Sequence, residues 1–163
     1  MHSKNVGERL DALQSFPVSE KIGIDLQTIN ICDDAQYDWL QSLIWPELTE
    51  RKANLEAARR IYETAEATLY DGDFRTLMPH IIRNIGKESQ LIIFHTHVAN
   101  QFPQTLKEEL LTLLDDISMS RSLYHVYNNM YDGQLHVDYV QQRKTVCCRT
   151  MTTEAHGAHF AWK

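Results

Sequence analysis

The sequence predicts an α/β fold: a three-layer arrangement with a mostly parallel sheet, helices on both faces, and an antiparallel hairpin at the C-terminal end. Three observations carry this. Short β-branched runs alternate with amphipathic helical stripes through residues 21–118. Three of the short runs end in polar side chains, as strands do at the rim of an open sheet. After Ser118 the strand-like segments crowd together with only short turns between them, the pattern of antiparallel neighbours. The expected organisation is a single α/β domain over 1–163, with a helical segment in 1–20, alternating strands and helices in 21–118 and antiparallel strands in 119–163.

Each element has its own justification. "VGERLDALQS" reads as a helix and "KIGIDL" (Lys21 to Leu26) as a strand. Asp33 and Asp34 offer N-cap chemistry to "AQYDWLQSLI", where Tyr37, Leu40 and Ile44 share a stripe. The run Trp45-Pro46 ends that helix, because a residue before proline avoids the α region. In "LTERKANLEAARRIYETA", Leu48, Leu55, Ala58, Tyr62 and Ala65 recur at helical spacing. "ATLYDG" is the next strand, and Asp73 precedes a helix marked by Leu77, Ile81 and Ile85. "QLIIFHT" is the clearest strand of the chain. Pro103 suits the first turn of a helix with Leu106, Leu110, Leu113 and Ile117 inward. "SLYHVYN", "QLHVDYV" and "KTVCCRT" follow as strands, Asp132-Gly133 signals a hairpin, and "GAHFAWK" supplies a last strand.

Composition narrows the function classes. The net charge of −6, with no basic run, argues against nucleic acid and against anionic membrane surfaces. The polar N-terminal twenty residues are neither a signal peptide nor a spanning helix, and no later apolar run reaches membrane-spanning length. Three cysteines (Cys32 and the adjacent Cys147 and Cys148) lack C-x-x-C spacing and fit reduced thiols, so the expected location is cytoplasmic. Cys147 and Cys148 fall mid-strand, where buried, inert thiols are common. Trp39, Trp45 and Trp162 read as core or interface anchors.

The candidate site residues are those that parallel strands would deliver to a common rim: Asp25, Asp71 and Asp73, and His95 with His97. Asp25 stands equally for an acceptor of ribose hydroxyls and for a turn cap. Asp73 reads first as a helix cap and Asp71 as a turn residue. His95-Thr96-His97 also invites a metal reading, since alternation on a strand would aim both rings to one side; His156 and His159 would complete the set. The six glycines are scattered and no two are spaced G-x-G, so no cofactor-cradling loop is visible.

Four segments, "IGIDLQTINICDDAQYDWLQSLIWPELTERKANLEAA", "LYDGDFRTLMP", "LIIFHTHVANQFP" and "HGAHFAW", resemble in order and spacing the bacterial family known as domain of unknown function 2332. The resemblance covers residues 21–162. It implies a relative of the S-adenosylmethionine-dependent methyltransferase fold, matched only in its downstream part. Fuller members carry an upstream Gly-rich strand–loop–helix. His95 and the His156-Gly157 pair match the family pattern, whereas His97 and His159 do not.

Three functional expectations result. The first is a truncated methyltransferase-like domain with an incomplete cofactor site. In it Asp25 and Asp73 are the cofactor-binding candidates and His95 and His156 the catalytic candidates, with S-adenosylmethionine the cofactor in view and no metal assigned. The second is a non-enzymatic scaffold or homodimer, or a chain docked on a companion, using Tyr124, Tyr127, Tyr131 and Tyr139 as an interface. The third is a metal-dependent hydrolase built on the histidines.

Overall fold

The computed structural model describes residues 4–5, 17–153 and 159–162. The helix expected in "VGERLDALQS" and the candidate His156 lie outside them. In chain order the elements are β1 (Lys4–Asn5), β2 (Ile22–Asp25), α1 (Asp34–Ser42), α2 (Thr49–Tyr62), β3 (Thr68–Asp71), α3 (Phe74–Asn84), β4 (Leu91–Thr96), a 3₁₀ turn (Ala99–Gln101), α4 (Gln104–Ser118), β5 (Leu123–Asn128), β6 (Gln134–Gln141), β7 (Lys144–Thr153) and β8 (His159–Trp162). Every strand and helix predicted within the described residues is present. The chain divides into two compact units, one of residues Phe16–His80 and one built on Ile81–Lys163 together with β1.

The single mostly parallel sheet is the part that changes. The strands form two sheets: a parallel pair β2–β3, and a six-stranded mixed sheet in the order β1-β8-β7-β6-β5-β4. The first unit is a β-α-α-β crossover. Its β2 and β3 align in register from Ile22 opposite Thr68 to Asp25 opposite Asp71. Asp33 caps α1 by accepting from the Gln36 N–H, as Asx chemistry at that position predicts. Arg59 of α2 lies over the Tyr37 ring, 4.4 Å from its centroid, and pairs with Asp34, which fastens the two helices to each other. Trp39 and Trp45 are 54% and 73% exposed, so neither anchors a core.

In the second unit β4 and β5 run parallel, and β5, β6 and β7 form an antiparallel meander. The register produces rows of side chains on one face of this sheet, since cross-strand partners point to the same side. The innermost row is Leu91, Leu123 and Val140, all buried, and it belongs to the apolar core. α4 adds Leu110, Leu114 and Ile117 to that core.

Two details of the meander differ from expectation. The tight turn joins β6 to β7 through Gln142 and Arg143, whose φ values of 50° and 58° give the doubly left-handed turn that fits strand twist without a glycine. Ser118 at the end of α4 holds it: its carbonyl accepts from the Gln142 N–H and its hydroxyl from the Arg143 N–H. The other is a register shift between Val137 and Asp138, which pair with Arg149 and Cys147 and leave Cys148 as the extra residue.

Candidate functional site

The next two rows on that face carry the chemistry. Ile93, His125, Asp138 and Cys147 form one; His95, Tyr127, His136 and Thr150 form the other. The bulge at Cys148 is what makes this possible. In a regular strand residues three apart face opposite ways, yet Cys147 and Thr150 share a face, with Sγ 3.5 Å from the threonine Oγ1.

At one end of the cluster the Nε2 atoms of His95 and His125 are 3.0 Å apart. One ring must donate and the other accept, so the pair shares a single proton at that contact. Burial, with the adjacent His95 and His136 rings, pushes the His125 imidazolium down to about 3, and burial lowers His95 as well. Both rings are therefore neutral at physiological pH. His125 stacks on Tyr127 with centroids 4.5 Å apart, and Tyr127 stacks on His136 at 4.8 Å. The Tyr127 hydroxyl donates to Asp138 Oδ2 at 3.1 Å. Burial and the Asp138 charge push that phenol far above its usual range, which keeps it a donor. At the solvent end His136 Nε2 meets Asp132 Oδ1 at 3.0 Å, and this contact lowers the Asp132 carboxyl.

Among the described residues three buried side-chain atoms lack a hydrogen-bond partner, and two belong to this cluster: His95 Nδ1 and Asp138 Oδ1. The third, Arg121 Nε, sits on a guanidinium already bonded to the carbonyls of Ile85, Gly86 and Ser89. An unpaired buried polar atom costs roughly 1–3 kcal/mol, so two on one face need a reason.

The other sequence candidates separate from this cluster. His97 does not continue the strand. It takes a left-handed φ of 54°, and its ring nitrogens lie 3.4 and 3.5 Å from the amides of Asn128 and Asn129. His95 and His97 thus have different partners and do not form a facing pair. Asp25 and Asp73 belong to the other unit and lie on or beside the separate β2–β3 sheet, so among the described residues no single sheet carries them together with His95. Asp25 accepts from the Gln27 N–H at 3.1 Å. Asp73 accepts from the Arg75 N–H at 2.9 Å and pairs with its guanidinium, acting as the cap of α3; that hydrogen bond holds its carboxyl low. Asp71 is more than a turn residue: it takes both the N–H and the hydroxyl of Thr28 at 2.6 Å, tying the loop after β2 to the end of β3. Cys147 and Cys148 are exposed, contrary to the buried thiols expected mid-strand, because every residue of β7 over Lys144–Arg149 is open to solvent.

Sequence reading missed His125, His136 and Asp138, and took Tyr127 for an interface residue. The signal was there: "YHVYN" and "LHVDY" each place two polar or aromatic residues at i and i+2, hence on one face of each strand.

The class of molecule is therefore a mixed α/β protein with a partly buried histidine–tyrosine–aspartate cluster on an antiparallel meander. The chain belongs to the family described as an uncharacterized protein conserved in bacteria, domain of unknown function 2332, whose family model matches residues 1–162. That match extends the resemblance from residue 21 back to residue 1. No curated protein and no solved structure matches the chain. No helix among the described residues is long and apolar enough to cross a membrane.

Proposed function

We propose that the chain is an enzyme domain whose reaction centre is the polar face of the mixed sheet, acting on a small molecule that must gain or lose a proton. The observation that carries this is the pairing of two unsatisfied buried atoms, His95 Nδ1 and Asp138 Oδ1, with a neutral histidine pair on the same face. A scaffold gains nothing from such atoms, whereas a site uses them. With its Nε2–H donated to His125 Nε2, His95 presents Nδ1 as a lone pair able to accept a proton from a substrate. Asp138, fixed by Tyr127, supplies a carboxylate whose second oxygen stays open. Solvent reaches the cluster at Asp132 and His136, whose side chains are 44% and 20% exposed.

The test is turnover of a panel of ester, phosphoester, amide and S-adenosylmethionine-dependent substrates by the wild type, His95→Gln and Asp138→Asn. One activity is expected, falling by about 10²–10⁴-fold in each variant. Turnover that survives both substitutions, or none across the panel, counts against the reading.

A methyltransferase-like reading is favoured by one separate observation. Asp25 ends a parallel strand in a β-α-α-β crossover, where such folds hold a ribose. Calorimetric titration with S-adenosylmethionine is expected to give heat that Asp25→Asn removes; no heat at millimolar ligand retires it.

A further inference from the structure

We infer that the outer end of the polar face is a metal site for a zinc-class divalent ion, held by His136, Asp138 and Cys147. The inference rests on the reading of this face as a reaction centre and names its cofactor. One ligand atom from each residue lies within 4.8 Å of the other two. The donor set is one nitrogen, one oxygen and one sulfur. A thiolate and an imidazole together select zinc or a similar transition ion over magnesium or calcium, which want oxygen alone.

Three further observations point to an ion rather than to chance proximity. Asp138 is 8% exposed and its Oδ1 has no partner, so the fold keeps a buried carboxylate oxygen unused beside a thiol and an imidazole. Both oxygen and nitrogen donors have outer supports of the kind that orient metal ligands. Tyr127 donates to Asp138 Oδ2, and Asp132 takes the Nε2 side of His136, which leaves the Nδ1 lone pair as the ligating atom. The bulge at Cys148 is the third: it breaks the register of β7 and thereby sets Cys147 opposite Asp138 on this face.

Binding converts the Cys147 thiol to a thiolate, so one proton leaves to solvent as the sulfur–metal bond forms. Three protein ligands leave a fourth position open to water or substrate, the pattern of catalytic rather than structural zinc. Cys147 and His136 are both reached by solvent, which gives the ion an entry path.

Cobalt(II) is the probe, added to the purified full chain after chelator treatment. A near-ultraviolet thiolate-to-cobalt charge-transfer band and the visible bands of a four-coordinate ion are expected at one equivalent, and zinc should displace them. Cys147→Ser, at an exposed position, should abolish the charge-transfer band, while the adjacent Cys148→Ser should retain it. Tyr127→Phe should weaken affinity by about 10–100-fold without removing the band. No band, a band that persists in Cys147→Ser, or one lost equally in Cys148→Ser overturns the site. His95→Gln should leave the cobalt spectrum intact. A failure of catalysis at His95 and a failure of metal binding are therefore read separately.

Discussion

Two regions of this protein carry acidic or imidazole side chains on or beside their strands, and they treat them in opposite ways. At the end of the β2–β3 pair, Asp25, Asp71 and Asp73 are each occupied by nearby donors: the Gln27 amide, Thr28 and Arg75. Those hydrogen bonds are marked by exposure to solvent, and they shape loops and caps. On the mixed sheet, His125 and Asp138 are 2% and 8% exposed, and the cluster they belong to keeps two polar atoms without a partner. A polar side chain on or beside a strand therefore distinguishes nothing by itself. Burial with incomplete satisfaction does, because only there is a polar group held at a cost.

The comparison can be broken most sharply at His125. His125→Ala removes a fully buried ring and strands the Nε2 of His95; a loss of about 2–4 kcal/mol in urea unfolding is expected. A loss near zero would mean the ring is not packed as described. Acid should be the next largest perturbation. The unfolded chain takes up a proton on each histidine near pH 6.5, while folded His125 resists protonation down to about 3. Below pH 6.5 the unfolded state thus binds more protons, and stability falls with falling pH, the contribution of His125 being roughly tenfold in the unfolding constant per pH unit. It is fully present above pH 6.5. His125→Ala should flatten this limb, as followed by equilibrium unfolding at several pH values.

The exposed carboxylates should respond less. Asp71→Ala loses both Thr28 contacts, and Asp73→Ala loses the α3 cap. Each should shift the urea midpoint by a minor fraction of the His125→Ala shift. Asp25→Asn keeps a side-chain oxygen for the Gln27 amide and should leave the midpoint within scatter. If Asp25→Asn proved as costly as His125→Ala, the contrast between the regions would collapse.

Much of the fold was legible because its elements are locally encoded. Asp33 before α1, Trp45-Pro46 after it, Pro103 before α4 and the β-branched run at Ile92 and Ile93 each state a boundary or a strand through backbone chemistry alone. Sheet membership was not legible, because hydrogen bonding between strands far apart in sequence leaves no local mark. His95 was found because it ends an apolar strand. Its partner His125 lies thirty residues away in sequence, and only the β4–β5 register brings them together. The bulge that turns Cys147 toward Asp138 was hidden for the same reason: an adjacent cysteine pair gives no hint of which residue is extra.

A reaction centre on this face depends most directly on the protonation state of the buried ring pair, and two-dimensional ¹H–¹⁵N spectra of the histidine rings measure it. Between pH 7 and pH 5, His125 should remain neutral in a single tautomer, with the His95 ring in the complementary one so that one Nε2–H lies between them. Ring nitrogens of both residues that average between tautomers and titrate together near pH 6.5 would contradict it.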